Sequence, residues 1–284
     1  LHYVGANGVE GWRQRAPPNA VEIAGILLRA GAVVDAMAAM YGGSTTLGLV
    51  ATSIHPLQAG VQNALMAFLL DHGAAMDHPR AAGNGQSIVN GCLANGRPGA
   101  AEFLAQRGAR LDLEGAAGVG RLEEVRRFFD PEGRLRSGAT PDPLKSGLQW
   151  ACEYGRTEVV RFLLERGAVP DEIHRGQTAL HWAAYGGFAE LVTLILQRKP
   201  RPRVNVQDER WRNTPLGWAL HGWAHPPEHS TGVDHYEVVA ALIAAGGTVD
   251  PAHVPASRVA SDPRMAAMLA RRSEAKVAGA GGGA

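Results

Sequence analysis

One stretch constrains this chain more than any other: Gly176-Gln-Thr-Ala-Leu-His-Trp-Ala-Ala-Tyr-Gly-Gly-Phe-Ala-Glu-Leu-Val-Thr-Leu-Ile-Leu196. It reads as two short helices joined by a turn. Thr178 stands where an N-cap is needed, just before Ala179 and Leu180 open the first helix. Ala183 and Ala184 are small, as two closely approaching helices require. Gly186 and Gly187 make the turn, and the apolar residues up to Leu196 give the second helix one buried face. A unit this thin cannot bury both faces alone, so copies of it must stack.

The copies are found most easily at their ends. Ile26-Leu-Leu-Arg-Ala-Gly-Ala32 returns as Phe68 to Ala74, as Phe103 to Ala109 and as Phe162 to Ala168. Leu194 to Arg198 lacks the Gly, Leu242 to Gly246 is a shortened version, and Val125 to Phe129 is degenerate. That makes seven units. The Gly past each second helix suits the left-handed position that side chains with a Cβ avoid. Four residues after it, most copies carry an Asp: Asp35, Asp77, Asp112 and Asp171. In the fourth unit, Asp112 runs directly into a short helix.

This pattern resembles the ankyrin repeat, with its Thr-Pro-Leu-His-x-Ala-Ala start, its Gly turn and its Leu-Leu-x-x-Gly-Ala finish. The resemblance spans roughly residues 1–250. It is closest in units one, five, six and seven and looser in units two to four. It implies an all-α helical repeat solenoid with short β-hairpin loops between repeats. In the family the motif His ties its turn to the neighbouring hairpin. Only His2 and His181 keep it, which predicts weaker, less regular units elsewhere. The expected organisation is about seven repeats over 1–250, a C-terminal capping helix over 251–272 and a disordered Gly/Ala tail over 273–284. Asp262 and Pro263 are placed to cap and open the last helix. The chain begins at Leu1 in mid-motif, so the first repeat reads as truncated at its N-terminus.

Composition narrows the function. A net charge of +1 lacks the basic surface of a generic nucleic-acid binder. Two Cys make no disulfide framework and suit a reducing compartment, so a cytoplasmic location is expected. The most apolar run, Ala20 to Met40, is interrupted by Glu22, Arg29 and Asp35, and no membrane span is expected. There is no phosphate loop, nucleophile elbow or paired-Cys zinc site, and Ser53-Ile54-His55 has no orienting acid. Cys152 stands in place of an inward-facing Ala. No enzyme activity and no cofactor are expected.

Three features are candidate sites. Trp150, Trp182 and Trp218 share one repeat position, held by Tyr3 and Leu49 in earlier units and assigned to Asn90 and Gly115 in the middle ones. First helices line the concave face in the family, so the three rings form a candidate aromatic ladder for a partner. Arg198, Lys199, Arg201 and Arg203 make a basic finger suited to an acidic partner. His221, His225, His229 and His235 crowd the last insertion, but their spacing matches no metal motif. Insertions at Gly8 to Asn19, Ser53 to Gly60 and Trp223 to Asp234 occupy the same place in their repeats and are expected along one rim. The resemblance implies a monomeric, non-catalytic scaffold or adaptor that binds another protein through its concave face and hairpin tips. The alternatives are the regulatory part of a larger enzyme, or a metal-responsive module built on the His-rich insertion.

Overall fold

The computed structural model describes residues 1–5, 15–39, 43–79, 82, 86–136, 141–227 and 233–270. They fall into two compact units, Leu1–Val119 and Gly120–Ala284. In the first, a 3-10 turn at His2–Gly5 precedes α1 (Ala20–Arg29). Then come α2 (Thr46–Thr52), α3 (Ile54–Gln58), α4 (Gln62–Asp71), α5 (Ile88–Ala94), α6 (Pro98–Gln106) and α7 (Leu113–Gly118). In the second, α8 (Leu122–Arg126) precedes the pairs α9 (Pro141–Glu153) with α10 (Thr157–Glu165), α11 (Ala179–Tyr185) with α12 (Ala189–Leu196), and α13 (Pro215–Ala224) with α14 (His235–Ala244).

The caps explain where the helices begin. Thr45, Ser87, Asp112 and Thr214 accept from the amides of Gly48, Asn90, Gly115 and Gly217 at the starts of α2, α5, α7 and α13. Each satisfies an amide that the first turn would leave unpaired. The second helices end where expected, with Gly31, Gly73, Gly108, Gly167 and Gly246 all at φ between 87° and 96°. Within each unit the pairs stack in two layers. First helices pack on first helices, as α9, α11 and α13 do, and second helices on second, as α4 on α6 and α12 on α14. Leu47, Leu69, Leu104, Leu163 and Leu191 are fully buried between the layers. Each such side chain contributes about 1.5–3 kcal/mol by leaving water.

Two ladders of polar side chains join neighbouring repeats. In the first, a residue just after a second helix accepts from an amide of the next repeat. Asp35 takes Ala75 at 3.0 Å, Asp77 takes Arg110 at 3.0 Å, Asp171 takes Arg203 at 3.4 Å and Asn205 takes Thr248 at 2.6 Å. This gives a function to the recurring Asp. In the second ladder, a side chain one position before the Trp site reaches the following repeat. His2 Nε2 bonds Ala36 O (2.7 Å) and His181 Nε2 bonds Asn213 O (3.1 Å). Gln149 Nε2 donates to the carbonyls of His174 (2.8 Å) and Gln177 (2.6 Å), and Asn90 Nδ2 donates to Asp112 (2.7 Å). Two units without the family His thus reach the next repeat through an amide side chain instead.

The caps also correct one alignment. Counting from Ser87 and Asp112, Asn90 and Gly115 match His181, and the residues that match Trp182 are Gly91 and Ala116.

Other expectations are met in part. Among the described residues one hairpin is a true ladder, β1 (Met37–Ala38) against β2 (Ser44–Thr45), with Met37 opposite Thr45. His174–Gln177 and Phe129–Leu135 form isolated bridges. The insertion at Ser53 to Gly60 is the capped helix α3, held by Gln62 Nε2 donating to Val50, Ala51 and Ser53 carbonyls at 3.0–3.1 Å. The other two insertions run through 6–14 and 228–232, outside the described residues. Instead of one terminal helix there is a turn at Pro251–His253, then α15 (Ala256–Ala260), then helical residues 263–270. Pro255 and Pro263, suited to helix starts and not to interiors, divide the segment. Asp262 does cap, accepting from Met265 N at 2.9 Å. The tail 273–284 lies outside the described residues. Among the described residues no helix is long and apolar enough to cross a membrane.

Candidate functional site

The side-by-side packing of α11 and α13 brings Trp182 and Trp218 together, with centroids 5.1 Å apart and planes at 77°. Trp150 follows in register on α9, but its ring lies under the Arg175 guanidinium at 5.0 Å. Trp150 and Trp218 are buried at 4% and 8% exposure, and Trp182 is partly exposed. The expected ladder is thus one edge-to-face pair with a third ring covered by arginine. Edge-to-face contacts of this kind add to the burial of the rings themselves.

More rings gather around the pair. Tyr185, one turn beyond Trp182, meets Trp218 at 5.9 Å and stacks with His221 at 6.0 Å and 19°. Trp211, from the tip of the hairpin before α13, meets Trp218 at 5.7 Å and is 51% exposed. These five rings wall a hollow of about 620 Å³, which residues 252–255 also line. His253 there has a buried Nδ1 with no hydrogen-bond partner among the described residues. A second hollow, of about 430 Å³, shares Trp182, Trp211 and Trp218 and runs on to Arg175, Glu209 and Arg210.

The hairpin tip is fixed by Asp208, which is fully buried. Its carboxylate accepts from the amides of Arg210 (3.0 Å), Trp211 (2.7 Å) and Asn213 (2.9 Å), and from Trp218 Nε1 (3.1 Å). Burial alone would raise its pKa, but hydrogen bonds from the Trp211 amide, the Trp218 indole and the other amides hold it below the usual range. Arg212 sits at φ 55°, where the preceding hairpin has Gly176 at φ 86°. A side chain in that left-handed region costs on the order of 1 kcal/mol.

Titratable groups behind this face are shifted by burial. His181 is lowered to about 4, chiefly by burial. It is therefore a neutral ring whose Nδ1 accepts from Thr178 N (3.1 Å), so Nε2–H is the donor to Asn213. Glu153, in register with Tyr185, is raised to about 7 by burial, against the opposing effects of a Tyr154 hydrogen bond and the Arg175 charge. Burial, then the charge of Glu153, raises Tyr185. Burial and then His225 lower His221. Burial pushes Cys92 up to about 12 and raises Cys152 as well, so both stay thiols and neither is a ready nucleophile.

The remaining candidates separate. Arg198 donates to Leu164 O (2.8 Å), and Arg203 pairs with Asp171 (3.0 Å), so half of the basic finger is committed to the preceding repeat. Lys199 and Arg201 are exposed. His221 and His225 have ring centroids 5.0 Å apart. His235 is instead buried against the carbonyl of Tyr185 at 3.0 Å. His229 lies outside the described residues. Among the described residues no group of three or more His, Cys, Asp or Glu could hold a metal ion. Sequence reasoning missed Tyr185, Trp211 and the wall at 252–255. The signal for Trp211 was an aromatic residue at a hairpin tip, beside a Trp already singled out.

Comparison with family models agrees with the repeat reading of residues 116–253. A family model for ankyrin repeats in three copies matches residues 116–208 and 148–253. Among solved structures, the human ASB11 ankyrin repeat domain is 18% identical, with 88% of this chain and 98% of that chain covered at a TM-score of 0.40.

Proposed function

Since the chain is an ankyrin repeat protein, and such repeats are generally protein–protein interaction modules, we propose that it is a non-catalytic scaffold or adaptor whose binding face is the aromatic cleft on α11, α13 and the hairpin tip between them. The observation that carries this reading is Trp211. A large ring held half in water, on a tip pinned by a buried carboxylate, is an anchor left open. Aromatic residues in such settings dominate binding energy at interfaces. The basic finger contributes less in this reading, because Arg198 and Arg203 already have partners. Two buried, unpaired cysteines support a cytoplasmic setting.

The test is affinity capture with the intact chain as bait, repeated with Trp211→Ala and Trp182→Ala. A partner engaged by the cleft binds each folded variant with about 2 kcal/mol less free energy, and with little dependence on salt. If Lys199 and Arg201 are the anchor instead, their removal slows association and added salt mimics it. Full binding by both Trp variants would exclude the cleft.

A further inference from the structure

We infer that the face shared by the two hollows takes a short linear segment of a partner protein, in which a large apolar side chain stands beside acidic residues. This rests on the reading that the face binds protein, and adds the chemistry of what it binds. The larger hollow is walled by rings, with Asn213, His221 and His253 as its polar edge, and among the described residues its lining has neither a carboxylate nor a guanidinium. At about 620 Å³ it falls within the range of pockets that enclose small ligands, ample for a large side chain. Its occupant is therefore an uncharged, largely apolar side chain.

Across the shared wall of Trp182, Trp211 and Trp218 the chemistry changes. Arg175 lies over Trp150 at 5.0 Å and Arg210 over Trp211 at 4.8 Å. A guanidinium held on a ring keeps N–H groups for a carboxylate, and its order is already set. The neighbouring acids are largely engaged. Asp171 pairs with Arg203, Glu172 with Lys145 at 3.2 Å, and Asp208 with amides of its own turn. What remains at these two tips is Arg175, Arg210 and Arg212, against exposed Glu209 and the partly buried Glu153 behind Arg175. Arg212 keeps its charge there at a φ of 55° that glycine would adopt without strain. The excess of cation disfavours a segment rich in Lys or Arg and favours an acidic one.

The experiment pans a displayed random peptide library against the full chain, with Trp211→Ala as the counter-target. Trp211, Arg175 and Arg210 are all exposed, so their variants should keep the wild-type melting temperature. The expected peptides carry Asp or Glu within about three residues of a Trp, Phe or Leu, the reach between two adjoining hollows. A synthetic peptide of that consensus should bind Arg175→Ala/Arg210→Ala about tenfold more weakly, and raising salt from about 50 to 500 mM should weaken wild-type binding similarly. Enriched peptides with basic or neutral flanks that still need Trp211 overturn the inference and leave the protein-binding reading standing. Peptides indifferent to Trp211→Ala overturn both. A library with no enriched peptide overturns the inference alone, if a captured folded partner still depends on Trp211.

Discussion

At one repeat position, residues 1–119 carry Tyr3, Leu49, Gly91 and Ala116, whereas residues 120–270 carry Trp150, Trp182 and Trp218. Beyond Tyr3, which is exposed, the first set is sealed in, with Leu49 at 3% exposure and Ala116 at none. At Gly91 the fit is tight enough that an added Cβ would fall on the Cβ of Ala82. In the second set Trp150 is buried under Arg175, while Trp182 and Trp218, with Tyr185 and Trp211, build the walls of a cleft. The helix pair tolerates both solutions because the layers are held from other positions: the leucines between them and the polar ladders at their hairpin ends. Binding chemistry can therefore be written at the Trp site without rewriting the fold.

The comparison breaks first if the cores differ. Leu104→Ala and Leu163→Ala remove fully buried side chains from the two units. Each should cost about 2–5 kcal/mol in denaturant unfolding, the range for large-to-small core changes. A much smaller cost in one unit would mean that its layers are held otherwise. Next, Gly91→Ala should destabilise by about 1–3 kcal/mol, since Ala82 must give way. If it is neutral, the sealed packing described for residues 1–119 is wrong. Gln149→Ala strands two carbonyls of the next hairpin and should cost about 1–2 kcal/mol. Gln149→His, the family residue, should recover part of that loss.

Acidity sharpens the contrast further. Glu153 has a folded pKa near 7, above its unfolded value, so the folded state holds the proton more tightly. Wild-type stability from this group is present at pH 4 and is lost as pH rises toward 7. Glu153→Gln does not titrate. It should match wild type near pH 4 and exceed it by about 1 kcal/mol above pH 7, a figure discounted for the carboxyl's partial exposure. Thermal melts of both proteins across that range would show it, and parallel curves would refute it. The smallest effect belongs to Trp211→Ala, expected to change stability by no more than about 0.5 kcal/mol despite the loss of a large ring. A larger cost would make the ring part of the core.

The sequence was most legible where local chemistry repeats. Caps, C-terminal glycines and the leucine faces could be read from single units, because each depends on residues within one helix pair. The Asp at 35, 77 and 171 was visible as a pattern, but its partner lies 32 to 40 residues on, in another repeat. Gln149 was hidden for a related reason. A side chain that reaches a backbone carbonyl leaves no matching residue to find. In the middle units neither the Trp nor the His marks the register, so only the caps at Ser87 and Asp112 fix the count. Trp211 comes from a hairpin, outside the helical register that drew attention to the other rings.

The buried carboxylate of Asp208 has a consequence for kinetics. The turn that carries Trp211 spends its amides inward, so its shape is decided during folding. A visitor to the cleft meets a wall already in place and need not wait for one to assemble. Its arrival rate is then set by diffusion and by the field of the nearby arginines, and differences between rival visitors show up in how long each stays.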